Sequence, residues 1–105
     1  VANKDVILST VTLSATFDTG VGRAIYFVGS FEESCSNGEG WKKAIKGTWT
    51  TGNVWKLTVT IPDSGSFAWK VLKESDGEAV ITSFTGWMQG DDLQYPGKTS
   101  VIPSF

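Results

Sequence analysis

The sequence contains one stretch whose pattern decides the fold, Val54-Trp55-Lys56-Leu57-Thr58-Val59-Thr60-Ile61. From Trp55 onward, apolar side chains occupy every second position, and Lys or Thr stands between them. An apolar period of two residues is typical of a β-strand with one buried face and one wet face. The turn-forming residues Pro62-Asp63-Ser64-Gly65 follow directly, so we expect the strand to end there.

Similar patterns lie on both sides of this strand. Residues 11–17 alternate between apolar side chains and Ser or Thr, which predicts a strand with one wet face. In residues 66–73, the larger apolar side chains Phe67, Trp69 and Val71 alternate with Ala68, Lys70 and Leu72, which predicts a further strand. Residues 24–28 are apolar without interruption, which predicts a central strand buried on both faces.

The remainder of the chain carries turn signals at short intervals. Asp76-Gly77 predicts a tight hairpin turn into a strand over residues 79–84. Residues 86–97 are expected to form a long loop, and residues 98–102 a last strand. No stretch keeps the 3.6-residue apolar period of an amphipathic helix.

These elements predict an all-β fold, an immunoglobulin-like antiparallel β-sandwich of about seven to eight strands. A small barrel is the alternative. With 105 residues and no repeat or linker, we expect a single domain over residues 1–105. The sequence starts at Val1 rather than Met, which suggests a module excised from a larger protein.

Charge and composition exclude several classes of function. Nine basic and eleven acidic side chains give a net charge of −2, so we expect no nucleic-acid partner. No apolar run approaches the roughly 20 residues that span a bilayer, so we expect no membrane partner. Histidine is absent, which removes His-based triads and His-ligated zinc. The single Cys35 cannot form an internal disulfide, and no cofactor or metal is predicted.

Five tryptophans are an excess in a chain of this size. Trp55 and Trp69 stand on the apolar faces of predicted strands, so we expect both in the core. Trp41, Trp49 and Trp87 belong to no alternating set. Each of these three is either a lid over the end of the sandwich or part of a ligand surface, and three together favour the ligand surface.

An exposed indole is a rigid apolar plate that suits the C–H face of a pyranose ring, whose hydroxyls then need polar partners. Polar candidates are Lys70, expected on an outer strand face, and four side chains in the long loop: Gln89, Asp91, Asp92 and Gln94. Lys70 as an ordinary solvated lysine is the alternative.

An ordered set of short motifs resembles the starch-binding domains of carbohydrate-binding module family 20. The set covers about nine tenths of the chain and comprises Ile25-Tyr26-Phe27-Val28-Gly29-Ser30, Gly40-Trp41 with Ala44, Val54 to Pro62, Phe67-Ala68-Trp69-Lys70, and Trp87-Met88-Gln89-Gly90-Asp91-Asp92. The resemblance implies an immunoglobulin-like sandwich that binds α-1,4-glucan at up to two sites. It also implies a module attached to an amylase-type glycoside hydrolase, hence secreted, without catalytic residues of its own and monomeric when isolated.

The resemblance assigns residues to a first carbohydrate site. Trp41 and Trp87 match its stacking platform, Lys70 matches its hydrogen-bonding lysine, and Asp92 stands where the family has an asparagine. Gln89 is a further polar candidate there. The expected ligands are starch, maltooligosaccharides or cyclodextrin.

The second site departs further from the family, which stacks glucose on two tyrosines. Trp49 falls within a residue of one tyrosine, and Val21 stands at the other. A second site is therefore incomplete, or it is rebuilt from Trp49 and Tyr26. Ala68 also replaces an acidic residue of the family, and residues 34–40 replace a shorter Leu-Gly-Asn segment, so the chain is a divergent member or belongs to a neighbouring starch-binding family.

Two other classes of function stay open on the residues alone. A glycosidase would pair Glu32 with Glu33, or Asp91 with Asp92, as acid and base, but neighbouring carboxylates rarely face each other across one glycosidic bond. Calcium at the two aspartates matches no known loop spacing. The third alternative is an adhesion or protein-interaction sandwich that uses its exposed aromatics as a binding patch.

Overall fold

The structure, a computed structural model, describes residues 7–31 and 40–105. Nine β-strands and one short 3-10 helix follow one another along these residues. The strands are β1 (Leu8–Thr16), β2 (Arg23–Gly29), β3 (Ala44–Lys46), β4 (Thr48–Thr50), β5 (Val54–Pro62), β6 (Phe67–Ser75), β7 (Val80–Ile81), β8 (Leu93–Tyr95) and β9 (Ser100–Val101), and the 3-10 helix is Gly40–Lys42. No helix in this part of the chain is long and apolar enough to cross a membrane.

The strands form two sheets that pack as a β-sandwich, as predicted. The first sheet has the order β4-β5-β1-β9, and the second has the order β7-β3-β2-β6-β8. All pairings are antiparallel except β1 with β9, which is parallel. The sandwich therefore departs from the purely antiparallel expectation at one edge of the first sheet.

The core lies between the sheets, and the alternation in sequence determines which side chains enter it. Val11, Leu13 and Ala15 of β1 are buried, while Thr12 and Thr16 between and beyond them are exposed. Strand β2 occupies the centre of its sheet and is buried from residue 24 to residue 29, which confirms the prediction of a central strand.

Trp55 and Trp69 are core residues, as predicted. Trp55 keeps 7% of its surface exposed and Trp69 none. A buried indole needs a partner for its N–H group. Trp55 donates to the carbonyl of Phe17 and Trp69 to that of Lys98, both at 3.2 Å.

Three predictions about the chain after β6 need correction. Strands β6 and β7 form no hairpin: β6 pairs with β2 and β8, whereas β7 pairs with β3 at the opposite edge of the sheet. The N–H of Asp76 donates to the carbonyl of Gly22, so this turn is bonded to the residue that precedes β2. The expected loop over residues 86–97 also contains strand β8, and only residues 80–81 of the expected strand over 79–84 are extended and paired.

Candidate functional site

Trp41 and Trp87 come together on the surface of the second sheet. Their ring centroids lie 6.3 Å apart, and the ring planes are tilted by 33°. Trp41 belongs to the short 3-10 helix and is half-buried, whereas Trp87 keeps 38% of its surface exposed. The two side chains that sequence reasoning assigned to one platform are therefore neighbours with accessible indole surface.

The backbone at Trp87 is bound to the edge of β6. Trp87 forms an isolated antiparallel bridge with Leu72. On either side of it, the N–H of Lys73 donates to the carbonyl of Gly86 at 2.9 Å, and the N–H of Met88 donates to that of Val71 at 3.0 Å. Paired residues in a sheet share a face, so Trp87 lies on the same face as Leu72.

Phe84 packs against the indole of Trp87. Its ring meets Trp87 edge to face, with a centroid distance of 5.5 Å and an interplanar angle of 66°. Such a pair restrains the indole orientation and contributes about 0.5 to 1.5 kcal/mol beyond area burial. A preorganised ring loses less side-chain entropy when a ligand stacks on it.

Lys70 lies beside this platform, on the face of β6 that also carries Leu72. Its Nζ donates to the carbonyl of Gly90 at 2.7 Å and stands 5.8 Å from the centroid of the Trp87 ring. An ammonium has three donors, so Lys70 can bind a ligand oxygen in addition to Gly90. The structure thus brings the predicted lysine to the predicted tryptophan.

Gln89 and Asp92 are exposed in the loop that links Trp87 to β8. The backbone N–H of Gln89 donates to the carbonyl of Ser104 at 2.8 Å, which anchors the loop to the residues after β9. Among residues 7–31 and 40–105, no group of three or more acidic, Cys or His side chains is placed to hold a metal ion, so nothing there supports calcium at Asp91 and Asp92. Glu32, Glu33 and Cys35 lie outside the described residues.

Trp49 occupies a separate surface. It belongs to the edge strand β4, where 53% of its surface is exposed, and its indole N–H donates to Oδ1 of Asn53 at 3.1 Å. It lines a shallow groove of about 410 Å³ together with the turn of residues 18–23. Val21, fully exposed, is part of that turn.

The prediction that Tyr26 contributes to a second site is wrong. Tyr26 lies on the central strand β2 and has no exposed surface. Its hydroxyl can donate to two carbonyl oxygens, that of Ser75 at 3.1 Å and that of Glu78 at 3.0 Å. The all-apolar pattern of β2 already indicated burial on both faces, so the ring is unavailable to a ligand.

An ion pair flanks the Trp49 groove. Nζ of Lys46 lies 2.8 Å from Oδ1 of Asp76, which lines the groove. The hydrogen bond from Lys46 to this carboxylate raises the pKa of the lysine above its ordinary 10.5. Both side chains are partly exposed, so solvent screens the interaction.

Sequence reasoning missed three residues that hold the platform: Glu74, Phe84 and Gly86. Glu74 accepts the backbone N–H groups of Thr85 and Gly86 through one carboxylate oxygen. A Cβ on Gly86 would stand 2.0 Å from the carbonyl oxygen of Lys73, so this position has no room for a side chain. Phe84 and Gly86 lie within three residues of Trp87 and were detectable by proximity, whereas nothing in the sequence marked Glu74.

The fold is similar to those of solved carbohydrate-active proteins. The family 20 CBM of the maltotetraose-forming amylase from Pseudomonas saccharophila STB07 matches with a TM-score of 0.67 and 26% identity, over 92% of this chain and 100% of that one. The family 15 glucoamylase of Hypocrea jecorina matches with a TM-score of 0.67, at 13% identity over 93% of this chain. The gamma-CGTase of alkalophilic Bacillus clarkii matches with a TM-score of 0.58, at 17% identity over 90%.

The present chain spans 17% of the glucoamylase and 14% of the gamma-CGTase. The similarity to these two enzymes therefore concerns the fold of one part of each. No protein-family model and no curated protein matches the sequence. The resemblance to family 20 modules thus rests on the ordered motifs and on the three-dimensional fold.

Proposed function

We propose that this chain is a non-catalytic carbohydrate-binding module that binds starch and related α-1,4-glucans, including maltooligosaccharides and cyclodextrins. The observation that carries the proposal is the pair of accessible, mutually tilted indoles of Trp41 and Trp87. The similarity to a family 20 CBM over the whole of that module supports it.

The tilt of the two rings suits a curved chain. Successive glucose units of an α-1,4-glucan turn relative to each other, so their apolar C–H faces do not lie in one plane. Two plates inclined by 33° can each contact one such face, whereas a flat ribbon such as a β-1,4-glucan fits coplanar rings better. The shape of the platform therefore favours α-1,4-glucans over β-1,4-glucans, in addition to providing apolar area for stacking.

The polar side chains around the platform hold the sugar hydroxyls. Lys70 supplies a donor next to Trp87, and the exposed Gln89 and Asp92 supply a carboxamide and a carboxylate from the adjoining loop. Such directional hydrogen bonds orient a ring that stacking alone leaves free to slide.

Trp49 forms a second, weaker contact for the same polymer. Its exposed ring adjoins the groove above the turn of residues 18–23, and its N–H bond to Asn53 fixes its orientation. One indole without a partner ring provides less stacking area than the Trp41 and Trp87 pair. Two contacts on one module raise the avidity for a long polymer more than the affinity for a short oligosaccharide.

The biological role that follows is attachment of a parent amylase-type glycoside hydrolase to its substrate. The similar module comes from a maltotetraose-forming amylase, and the two larger enzymes contain the fold as a small part of their chains. We infer a single domain over residues 1–105 that is monomeric when isolated and extracellular with its enzyme.

Titration with maltoheptaose, followed by calorimetry and by tryptophan fluorescence, tests the proposal. We expect heat of binding and a change in indole emission, and neither with cellohexaose at the same concentration. Binding of both sugars alike would contradict the shape argument. Binding of neither would contradict the proposed function and favour a protein-interaction domain.

A further inference from the structure

We propose that Glu74 is a positioning residue for the platform: its carboxylate fixes the backbone before Trp87 and so sets the tilt between Trp87 and Trp41. The effect on glucan affinity rests on the proposed function, whereas the effect on ring geometry does not. Glu74 acts through the backbone of Thr85 and Gly86, whose N–H groups it accepts.

The hydrogen-bond geometry is that of a clamp on consecutive peptide groups. Oε2 of Glu74 lies 3.0 Å from the nitrogen of Thr85 and 2.5 Å from that of Gly86, and Trp87 follows immediately. One oxygen is thus the acceptor for two consecutive peptide groups, and an uncharged acceptor oxygen with the same reach can take its place. Two such bonds restrain the direction in which the chain enters Trp87.

This restraint acts between two packed side chains. Phe84 and Met88 pack against the core, whereas Thr85 is exposed and Gly86 has no side chain, so burial does not fix the peptide groups between them. The segment also lies so close to β6 that a Cβ on Gly86 would stand 2.8 Å from Oε2 of Glu74. The peptide groups of Thr85 and Gly86 are held by the two hydrogen bonds to Glu74.

A second charged side chain of β6 holds the other end of the segment. Lys70, Leu72 and Glu74 follow one another on one face of the strand, and Trp87 pairs with Leu72 between them. Glu74 accepts N–H groups before Trp87, and Lys70 donates to the carbonyl of Gly90 after it. If the Lys70 ammonium turns to a sugar hydroxyl, its bond to Gly90 weakens, and the Glu74 clamp continues to hold the ring.

The test compares three substitutions of Glu74 that separate the effect of side-chain length from the effect of side-chain charge. Glu74→Ala removes the acceptor. Glu74→Gln keeps the reach and one oxygen with two acceptor sites but loses the charge. Glu74→Asp keeps the charge and is one methylene too short. Glu78→Gln is the matched control, because Glu78 is an exposed acidic residue of the neighbouring turn whose side chain lies outside the platform.

The primary measurement is far-ultraviolet circular dichroism, recorded without ligand and well below the melting temperature. We expect an exciton couplet in the wild type, and its loss in Trp41→Phe assigns it to the Trp41 and Trp87 pair rather than to Trp49 and Trp55. We expect loss of the couplet in Glu74→Ala and Glu74→Asp, and its retention in Glu74→Gln and Glu78→Gln. A wild-type couplet in Glu74→Asp, or its loss in Glu74→Gln, overturns the proposal. If Glu74→Ala does not fold, the comparison of Gln with Asp decides alone.

The secondary measurement is affinity for maltoheptaose. We expect Glu74→Asp to bind about fivefold to thirtyfold more weakly than the wild type, the factor that corresponds to the loss of one or two hydrogen bonds. Glu74→Gln should bind close to the wild type. A wild-type protein that ignores the sugar contradicts the proposed function only, because the couplet still tests the clamp.

Discussion

Trp49 lies directly opposite Trp55 in the antiparallel pair of β4 and β5, yet 53% of Trp49 is exposed and only 7% of Trp55. Register partners point to the same side of a sheet, so both indoles face the interior side. Strand β4 forms the edge of its sheet, whereas β5 is an inner strand between β4 and β1. Position across the sheet, rather than strand face, separates a surface tryptophan from a core tryptophan.

This difference predicts opposite consequences for the same substitution. Trp55→Ala should lower the free energy of unfolding by about 3 to 5 kcal/mol, because it leaves a cavity in the core. Trp49→Ala should change it by less than about 1 kcal/mol, because half of the ring already faces water. Urea denaturation of both variants provides the measurement. Equal destabilisation would contradict the burial difference.

Substitution of the platform residues should weaken binding while the protein still folds. Trp41→Ala and Trp87→Ala are each expected to weaken maltoheptaose binding by about 1 to 3 kcal/mol through the loss of one stacking surface. Val80→Ala is the matched control, an exposed apolar side chain on the edge strand β7. Calorimetric titration checks the affinities, and circular dichroism checks folding. Unchanged affinity in a folded platform variant would remove that residue from the site.

Gly86 is required by close backbone contact. A Cβ at this position would stand 2.0 Å from the carbonyl oxygen of Lys73, so Gly86→Ala must displace the chain before Trp87. We expect a loss of about 1 to 3 kcal/mol in the free energy of unfolding, together with weaker glucan binding. Gly77→Ala is the control, since its Cβ would meet nothing within 4 Å. Similar melting temperatures for the two variants would argue against the close approach.

Glucan binding should depend little on ionic strength. The expected ligand is uncharged and the platform is aromatic, so binding does not depend on attraction between charges. Raising the salt concentration from 0.01 M to 1 M shortens the Debye length from about 30 Å to about 3 Å, and this should leave the affinity nearly unchanged. Affinity for maltoheptaose measured at these two salt concentrations provides the check. A loss of more than about tenfold, or about 1.4 kcal/mol, would point to a charged partner instead.

The ion pair of Lys46 and Asp76 should contribute to stability in a pH-dependent manner. The folded-state pKa of Lys46 is raised above 10.5, so its contribution is complete below 10.5 and is lost as the pH rises through the folded-state value. The stability difference between the wild type and Asp76→Asn should therefore shrink above pH 10.5 and in high salt. Denaturation at neutral and alkaline pH measures it. A difference that grows with pH has the wrong sign for this pair.

Much of the fold could be predicted from local patterns, because a strand with one buried face has apolar residues at every second position. The alternation over residues 11–17, 54–61 and 66–73 predicted β1, β5 and β6, and the apolar run of residues 24–28 predicted the buried central strand. The hairpin expected at Asp76-Gly77 was wrong because a turn signal specifies a local change of direction. It does not specify which strand edge the chain then meets, and here β7 meets β3.

The sequence by itself determined the sandwich, the two core tryptophans and the candidacy of Trp41, Trp87 and Lys70, because each depends on the phase of a strand or on a resemblance between motifs. Only the tertiary structure decided that Trp49 is exposed at a sheet edge and that Glu74 holds the backbone before Trp87. These outcomes depend on contacts between residues distant in sequence, or on the order of strands across a sheet. Neither long-range contacts nor strand order produces a periodic pattern in the sequence.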